Sequence, residues 1–137
     1  VQERQPGARV DGALVTQMAP PGHELIVGMR RDPQFGPLLM VGLGGIYVEL
    51  LKAVAFRGAP FSRAETLAMI GETHAGKLFA GLRGQPPADV DAVAGVIERV
   101  AQLALDHPQI QEIDVNPLLV YPAGQGALAV DVRMVLG

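Results

Sequence analysis

The amino-acid sequence predicts an α+β or mixed α/β fold, in which a mixed or antiparallel β-sheet packs against helices. Three observations support this prediction. Apolar runs rich in Val, Ile and Leu, separated by Pro and Gly, fill residues 10–57; helical patterns follow over residues 62–105; and polar and apolar residues alternate after residue 110. An order of strands, then helices, then strands is typical of such domains.

The amino-terminal part contains three predicted strands. Residues 1–9 are polar, so we expect a flexible N-terminus there. Residues 10–18, 24–29 and 38–41 predict strands because β-branched and aliphatic residues are concentrated in them. Pro and Gly separate the first two, and a charged turn at residues 30–33 follows the second.

A glycine-rich run, GLGGIYVE, occupies residues 42–49. Its glycines would permit close backbone approach to a ligand. Their spacing is neither GxxxxGK[ST] nor GxGxxG, so a turn is favoured over a phosphate-binding loop. Residues 50–57 are interpreted as a short strand or a bent segment.

Helices are predicted in the middle of the chain. Ser62 and Glu65 have the spacing of a capping box, which begins a helix that we expect to reach residue 70. A second short helix is predicted for residues 73–82. The longest covers residues 89–105, where apolar residues recur at intervals of three and four.

Composition excludes several classes of protein. The 137 residues are enough for one domain, and a formal net charge of −3 argues against a nucleic-acid-binding surface. The chain contains no cysteine, hence no disulfide framework. No apolar run is long enough to predict a membrane span, and no signal-peptide pattern is present. We therefore expect a cytoplasmic protein with no nucleic-acid or membrane partner.

Polar residues alternate with apolar ones near the carboxyl end. In a strand, Glu112, Asp114 and Asn116 would share one face, while Ile113 and Val115 would face the other side. Three oxygen-bearing side chains in a row are unfavourable in a plain core. This face is therefore predicted to be functional or solvated.

A second alternating segment follows a turn that contains Pro122, Gly124 and Gly126. Folding the two segments back on each other brings Asn116 roughly opposite Asp131. Amide and carboxylate oxygens suit a hard cation such as Mg²⁺, whose shell phosphates and water would complete. An antiparallel hairpin with one solvated face gives the same alternation, so the pattern alone leaves both interpretations open.

Residues 10–136 contain four motifs in order, the first of which begins at Gly22. They are GHELIVGMRRDPQFGPLLMVGLGGIYVELLKAVAFRGAP, GLRGQPPADVDAV, LDHPQIQEIDVNPLLV and GALAVDVRMVL. Together they resemble the ATP-grasp domain of NDP-forming acyl-CoA synthetases, a family that includes ADP-forming acetate–CoA ligases. Multidomain protein lysine acetyltransferases carry a related module.

The resemblance implies an ATP-grasp-like fold that holds ATP or ADP with Mg²⁺ between two lobes. It implies that Asn116 and Asp131 ligate the Mg²⁺ that bridges the phosphates. It places Glu112 and Asp114 beside these ligands, where they would tune the metal or meet a phosphohistidine from a partner domain.

The resemblance also implies the residues that bind the nucleoside. Gln17, Met18 and Ala19 match the interlobe hinge that hydrogen-bonds adenine through its backbone, and Glu24 matches an acidic position near the ribose hydroxyls. The roles of the GLGG run and of Arg57, near the family's cleft, stay open.

In the implied reaction, acyl-CoA, ADP and phosphate are interconverted with a small carboxylic acid, CoA and ATP. The partners are CoA-binding and ligase domains, fused or on a separate chain. Arg30, Arg31 and Arg133 are candidates for neutralising phosphate charge. For Arg30 and Arg31 a solvated turn is an equal alternative, and for Arg133 an ion pair with Asp131 or Glu112 competes.

Two departures from the family pattern matter. The first lobe, with its phosphate-contacting lysine, does not precede Val1, so residues 10–137 are expected to be the C-terminal portion of the domain and to be inactive alone. Ala53 stands where relatives usually have Asp. A non-catalytic scaffold or regulatory module of an acetyltransferase, and a subunit of a succinyl-CoA-synthetase-like ligase, remain alternatives.

Overall fold

The structure is a computed structural model of the chain, and it describes residues 4, 7, 9, 11–44, 54–79, 81 and 86–137. Within these residues the chain forms six strands and three helices. In chain order these elements are β1 (His23–Asp32), β2 (Gly36–Leu43), β3 (Val54–Gly58), α1 (Arg63–Glu72), α2 (Ala75–Phe79), α3 (Val90–Asp106), β4 (Ile110–Val120), β5 (Ala127–Ala129) and β6 (Val132–Leu136).

The strands form one antiparallel sheet in the order β3-β2-β1-β4-β5, and β6 also pairs with β4. Strands β5 and β6 therefore follow one another along the same edge of β4. The other edge of β4 pairs with β1. The sequence left a mixed or an antiparallel sheet open, and the strands pair antiparallel throughout.

The hydrophobic core lies between one face of the sheet and the helices. Alternate residues of β1, β2 and β4 supply the sheet side, because side chains alternate between the faces of a strand. Helices α1 and α3 supply the other side. Fully or nearly fully buried members of this core include Leu25, Val27, Met29, Leu39, Val41, Met69, Ile70, Val93, Ile97, Ile113, Val115 and Leu118.

The two longer helices begin as the sequence predicts. Ser62 caps α1 by accepting a hydrogen bond from the Glu65 backbone, and the Glu65 carboxylate accepts one from the Ser62 backbone N–H at 2.8 Å. Helix α3 has Asp89 as its N-cap and buries Val93, Ile97 and other members of its apolar face. None of the helices in the described part of the chain is long and apolar enough to cross a membrane.

Asp89 also fixes the turn between β4 and β5. One of its carboxylate oxygens accepts the Ala92 N–H at 3.0 Å, at the start of α3. The other accepts the backbone N–H groups of Gly124 and Gly126, both at 2.9 Å. Both glycines have positive φ, a conformation that residues with a Cβ rarely adopt. These N–H groups, that of Gly126 foremost, hold the pKa of Asp89 below its ordinary value.

Some predicted boundaries are wrong. Residues 11–18 form no strand, and Leu14 and Met18 there are 91% and 87% exposed. A strand needs a partner for its backbone groups, and the described part of the chain supplies none for this segment. Among the described residues the second helix covers Ala75–Phe79, and it begins after Thr73 because that residue terminates α1.

The turn predicted at residues 30–33 lies further along. Asp32 accepts hydrogen bonds from the backbone N–H groups of Gln34 and Phe35 at 2.8 and 2.9 Å, so the chain reverses after Asp32 and β1 includes both arginines. Most of residues 1–9, residues 45–49 of the glycine-rich run, Ala53 and Leu82 lie outside the described residues.

We expect Asp89→Ala to lower the free energy of unfolding by about 2–3 kcal/mol, because it removes a helix cap and two charge-assisted hydrogen bonds. Asp89→Asn keeps a capping oxygen and should lose about 1 kcal/mol. Urea denaturation measures both. Asp106→Ala, at an exposed acidic residue near the end of α3, is the matched control and should stay within about 0.5 kcal/mol.

The Asp89 carboxylate should also make stability depend on pH. Its folded-state pKa is lowered, so its contribution is complete above the ordinary value of 3.8 and is lost as the pH falls below that value toward the folded-state pKa. Across this acid range the wild type should lose more stability than Asp89→Asn. Equal losses in the two proteins would contradict the assignment.

Candidate functional site

The face of the sheet opposite the helices carries a groove of about 350 Å³. It is lined from β3, β2, β1 and β4, so it runs across four neighbouring strands. Its floor is mainly apolar, and charged side chains lie along one side. The lining residues that alternate onto this face are Gly28, Arg30, Leu38, Met40, Phe56, Glu112 and Asp114.

Four charged residues of three adjacent strands form what we call the charged row: Arg30, Glu112, Asp114 and Arg133. Arg30 of β1 is opposite Glu112 of β4, and Asp114 of β4 is opposite Arg133 of β6. Arg133 forms an ion pair with Glu112, with 3.6 Å between Nη1 and Oε1. Of the two carboxylates considered as partners, Glu112 is therefore the one that Arg133 contacts, and a phosphate contact of Arg133 remains a prediction. The Arg133 side chain is 70% exposed, so the pair contributes at most about 1 kcal/mol and exchanges readily.

Asn116 and Asp131 lie where the alternation of β4 is interrupted. Leu25 pairs with Leu118 and Val27 with Val115, so β4 has one residue more than β1 over this interval. Val115 and Leu118 consequently both reach the core, although three positions separate them. The bulge consists of Asn116 and Pro117.

On the other edge of β4, strands β5 and β6 keep one continuous register through the bulge. Val115 pairs with Val132 and Leu118 with Ala129, so Asn116 is opposite Asp131. The Asn116 N–H donates a hydrogen bond to the Asp131 carbonyl oxygen at 3.0 Å. The structure thus brings together the two residues predicted to share a cation, and both are exposed.

The donor set here is an amide and a carboxylate. The described residues contain no group of three or more His, Asp or Glu side chains that could hold a metal ion. Two oxygen-bearing side chains fit Mg²⁺, which keeps several water ligands and is usually bound by one or two protein groups together with substrate phosphates. The role of Asn116 and Asp131 as ligands remains a prediction.

Of the residues predicted to bind the nucleoside, Glu24 lies on β1 and the other three precede that strand. Glu24 is exposed near the start of β1, two residues before Ile26, which lies opposite the bulge. Its carbonyl oxygen accepts the Gly44 N–H at 2.8 Å, which joins the start of β1 to the described part of the GLGG run. Gln17, Met18 and Ala19 lie in a segment without regular secondary structure. The Tyr121 hydroxyl contacts that segment at the Pro20 carbonyl oxygen, at 3.4 Å.

Two other arginines have structural partners. Arg31 projects toward the end of α3, where its guanidinium donates to the carbonyl oxygens of Ala104, His107 and Ile110. It is therefore a helix-terminating group and not a phosphate ligand. Arg57 pairs with Glu72 of α1, and this hydrogen bond raises the pKa of Arg57.

The apolar part of the groove was not predicted from the sequence. Gly28, Leu38, Met40 and Phe56 follow the period of two on β1, β2 and β3, which is the signal that could have identified them. Assigning these residues to one surface requires the strand register, in which Met40 is opposite both Gly28 and Phe56. Without that register, four scattered residues cannot be assigned to one surface.

Comparison with known proteins identifies the family. The chain belongs to the ATP-grasp domain family, which it matches over residues 1–136. It is 53% identical, over its 137 residues, to an ADP-forming acetate–CoA ligase I of Archaeoglobus fulgidus, of which it covers 20%. It is 49% identical over 132 residues to the beta subunit of ADP-forming acetate–CoA ligase I of Pyrococcus furiosus, covering 96% of this chain and 56% of that subunit.

A solved structure has the same fold. It is acetyl-coenzyme A synthetase 1 of Candidatus Korarchaeum cryptofilum in complex with coenzyme A and Mg-AMPPCP, with a TM-score of 0.81 and 45% identity over 87% of this chain and 55% of that chain. These matches confirm the ATP-grasp resemblance and the α+β fold. The chain spans about a fifth to somewhat more than half of the relatives it matches.

Arg30 and Arg31 are adjacent in β1, but we expect their substitution to have different effects on the free energy of unfolding. We expect Arg31→Gln to lower the free energy of unfolding by about 2 kcal/mol, because it leaves carbonyl groups at the end of α3 without their charged donor. Arg30→Gln, on the exposed face, should change it by less than about 0.5 kcal/mol. Thermal denaturation of both variants measures this, and equal effects would contradict the opposite orientations of the two side chains.

Proposed function

We propose that this chain is the nucleotide- and Mg²⁺-binding portion of an ADP-forming acid–CoA ligase. The observation that carries the proposal is identity of 53% over the whole chain to an enzyme of that name, combined with Asn116 and Asp131 in register on the exposed face. The relatives named above are acetate–CoA ligases or an acetyl-CoA synthetase, which favours this function over a non-catalytic acetyltransferase module.

The reaction interconverts acyl-CoA, ADP and phosphate with the acid, CoA and ATP. The step assigned to this chain transfers a phosphoryl group between a histidine of the CoA-binding portion and ADP. The P–N bond to the histidine breaks as a P–O bond to the terminal oxygen of ADP forms. The histidine nitrogen retains the electron pair and takes up a proton, and ATP is released. A phosphohistidine segment is also named in the Korarchaeum complex, where it points towards the nucleotide-binding site.

Asn116 and Asp131, which we call the metal pair, are proposed to hold Mg²⁺. The ion would neutralise phosphate charge when bound. The chain's own groups position the nucleotide beside it. Glu24 accepts hydrogen bonds from the ribose hydroxyls, and backbone groups of residues 17–19 contact adenine. Residues 17–19 precede β1, Glu24 lies near its start, and Ile26 lies opposite the bulge that contains Asn116. The proposed sites for adenine, ribose and metal therefore follow one another in chain order.

The charged row follows the metal pair along the sheet. Arg133 is proposed to release Glu112 and contact the phosphoryl group, since a doubly charged anion competes well with a weak exposed ion pair. Glu112 and Asp114 keep the surroundings of the metal polar, and either can accept a hydrogen bond from a histidine ring.

The partners of the chain are proposed to be the CoA-binding and ligase portions of the same enzyme, with CoA and a small carboxylic acid as substrates of the whole. Relatives are longer than this chain, so the full reaction is assigned to the complete enzyme. The chain alone is expected to be inactive, because the CoA-binding portion supplies the histidine.

We expect Asp131→Ala in the complete enzyme to lower ligase turnover by at least about 100-fold, since it removes the charged ligand of the metal pair. Binding of Mg·ADP, measured by calorimetry, should weaken in parallel. The melting temperature should stay unchanged, because Asp131 is exposed.

Asp106→Ala is the matched control, since it removes another exposed carboxylate, from α3 on the other side of the sheet. It should leave turnover unchanged. Full activity in Asp131→Ala would remove Asp131 from the site, and absence of Mg·nucleotide binding in the wild-type enzyme would refute the proposed function as a whole.

A further inference from the structure

We infer that Gly44, the third residue of the GLGG run, is a positioning residue for the ribose end of the nucleotide site. Its missing side chain lets the chain close tightly against Glu24, and this close contact fixes the carboxylate where it accepts hydrogen bonds from the ribose hydroxyls. The inference rests on the proposed function, in which Glu24 has that role. It makes Gly44 a determinant of selectivity for ribonucleotides.

Gly44 stands directly opposite Glu24 on the neighbouring strand. Leu25 pairs with Leu43, so the next pair along these antiparallel strands is Glu24 with Gly44. The Gly44 N–H donates to the Glu24 carbonyl oxygen at 2.8 Å, which continues the pairing one residue beyond β2. Residues that are opposite each other in a sheet point to the same face. Any side chain at position 44 would therefore lie beside the Glu24 side chain.

The space beside Glu24 is too small for a side chain at position 44. A Cβ at Gly44 would lie 3.1 Å from the Glu24 Cβ, and equally close to the Glu24 carbonyl carbon and oxygen. Directly opposite residues ordinarily keep their Cβ atoms about 4.5–5.5 Å apart. Gly44 is buried and does not have a positive φ. The close contact with Glu24, and not the backbone conformation, is therefore what requires a glycine here.

The atoms that a Cβ would meet distinguish Gly44 from Gly28, which lies on the same face of the sheet. At Gly28 the nearest atom, at 3.3 Å, is the terminal methyl group of Met40, which a rotation of that flexible side chain can move aside. At Gly44 the nearest atoms are the backbone and the Cβ of Glu24. These atoms can move only if the start of β1 moves with them.

The backbone of β1 determines where the Glu24 carboxylate can reach, because the side chain is exposed. Leu119 of β4 pairs with Glu24 on one edge of β1, and Gly44 holds it on the other. Hydrogen bonds weaken steeply as their length and angle depart from the optimum, and a displacement of about 1 Å is costly in a binding site. A Cβ at position 44 is therefore expected to weaken the hydrogen bonds to ribose and to leave the metal pair undisturbed.

The test compares ADP with 2′,3′-dideoxy-ADP, which lacks both ribose hydroxyls, in the complete enzyme. Calorimetry gives the dissociation constant of the Mg²⁺ complex of each nucleotide. The wild type should bind ADP at least about tenfold more tightly, as expected for hydroxyls that donate to a carboxylate. Gly44→Ala should reduce this ratio to less than about threefold, and its dissociation constant for the dideoxy nucleotide should stay within about twofold of wild type. Partial unfolding would weaken both nucleotides equally, so the ratio separates positioning from stability.

A double-mutant cycle determines whether Gly44 acts through Glu24. Glu24→Ala should abolish the preference for ADP, and adding Gly44→Ala to it should change neither dissociation constant by more than about twofold. Glu24→Asp leaves the contact with Gly44 intact but withdraws the carboxylate by one methylene group, and it should also lose most of the preference. Because Glu24 is exposed, this variant tests the positional requirement even where Gly44→Ala does not fold.

Gly58→Ala is the matched control, because a Cβ at this strand glycine would meet only a Leu38 methyl group, at an ordinary 3.7 Å. It should retain the wild-type preference for ADP. An unchanged ratio in Gly44→Ala or in Glu24→Asp would overturn the inference, and equal weakening of both nucleotides in Gly44→Ala would reduce Gly44 to a structural role.

Two results with the wild-type enzyme separate this inference from the proposed function. Equal binding of the two nucleotides would remove Glu24 from the ribose and would overturn the role of Gly44, while the proposed function would stand. Failure to bind Mg·ADP would refute the proposed function itself.

Discussion

The structure depends on a single strand that has to satisfy two environments at once. Strand β4 is hydrogen-bonded along both edges, and one of its faces is buried beneath α3 while the other is exposed. Strict alternation would place Val115 and Leu118 on opposite faces. The extra residue in the bulge lets both remain in the core, where each contributes apolar burial. On the other edge of β4 the pairing is continuous through the bulge, and this register places Asn116 opposite Asp131.

Much of this arrangement is encoded locally, and those parts could be predicted. The three-and-four spacing of Val93, Ile97 and Val100 identifies α3, and Ser62 with Glu65 identifies the start of α1, because helix periodicity and capping depend only on near neighbours. The alternation of residues 112–116 and the Pro/Gly turn after Val120 identified the carboxyl-terminal hairpin for the same reason. Family resemblance supplied the ATP-grasp assignment, which local patterns could not have given.

The features that could not be predicted depend on partners distant in the sequence. Residues 11–18 have strand-forming composition, but composition does not supply a neighbouring strand. Arg30 and Arg31 are adjacent and chemically identical, and only the continuation of β1 to Asp32 decides that one faces the groove and the other faces the end of α3. The groove itself combines single residues from β1, β2 and β3, whose alignment depends on the turn that Asp32 organises.

The link between Asp89 and the turn after β4 changes how that turn should be regarded in protein engineering. Its Pro, Ala, Gly and Gln residues have the composition of a dispensable surface loop, to which a label or a peptide tag would ordinarily be attached. The Gly124 and Gly126 N–H groups nevertheless donate hydrogen bonds to the Asp89 carboxylate, which caps α3. An insertion there would loosen the start of α3 and shift the strand that leads to Asp131.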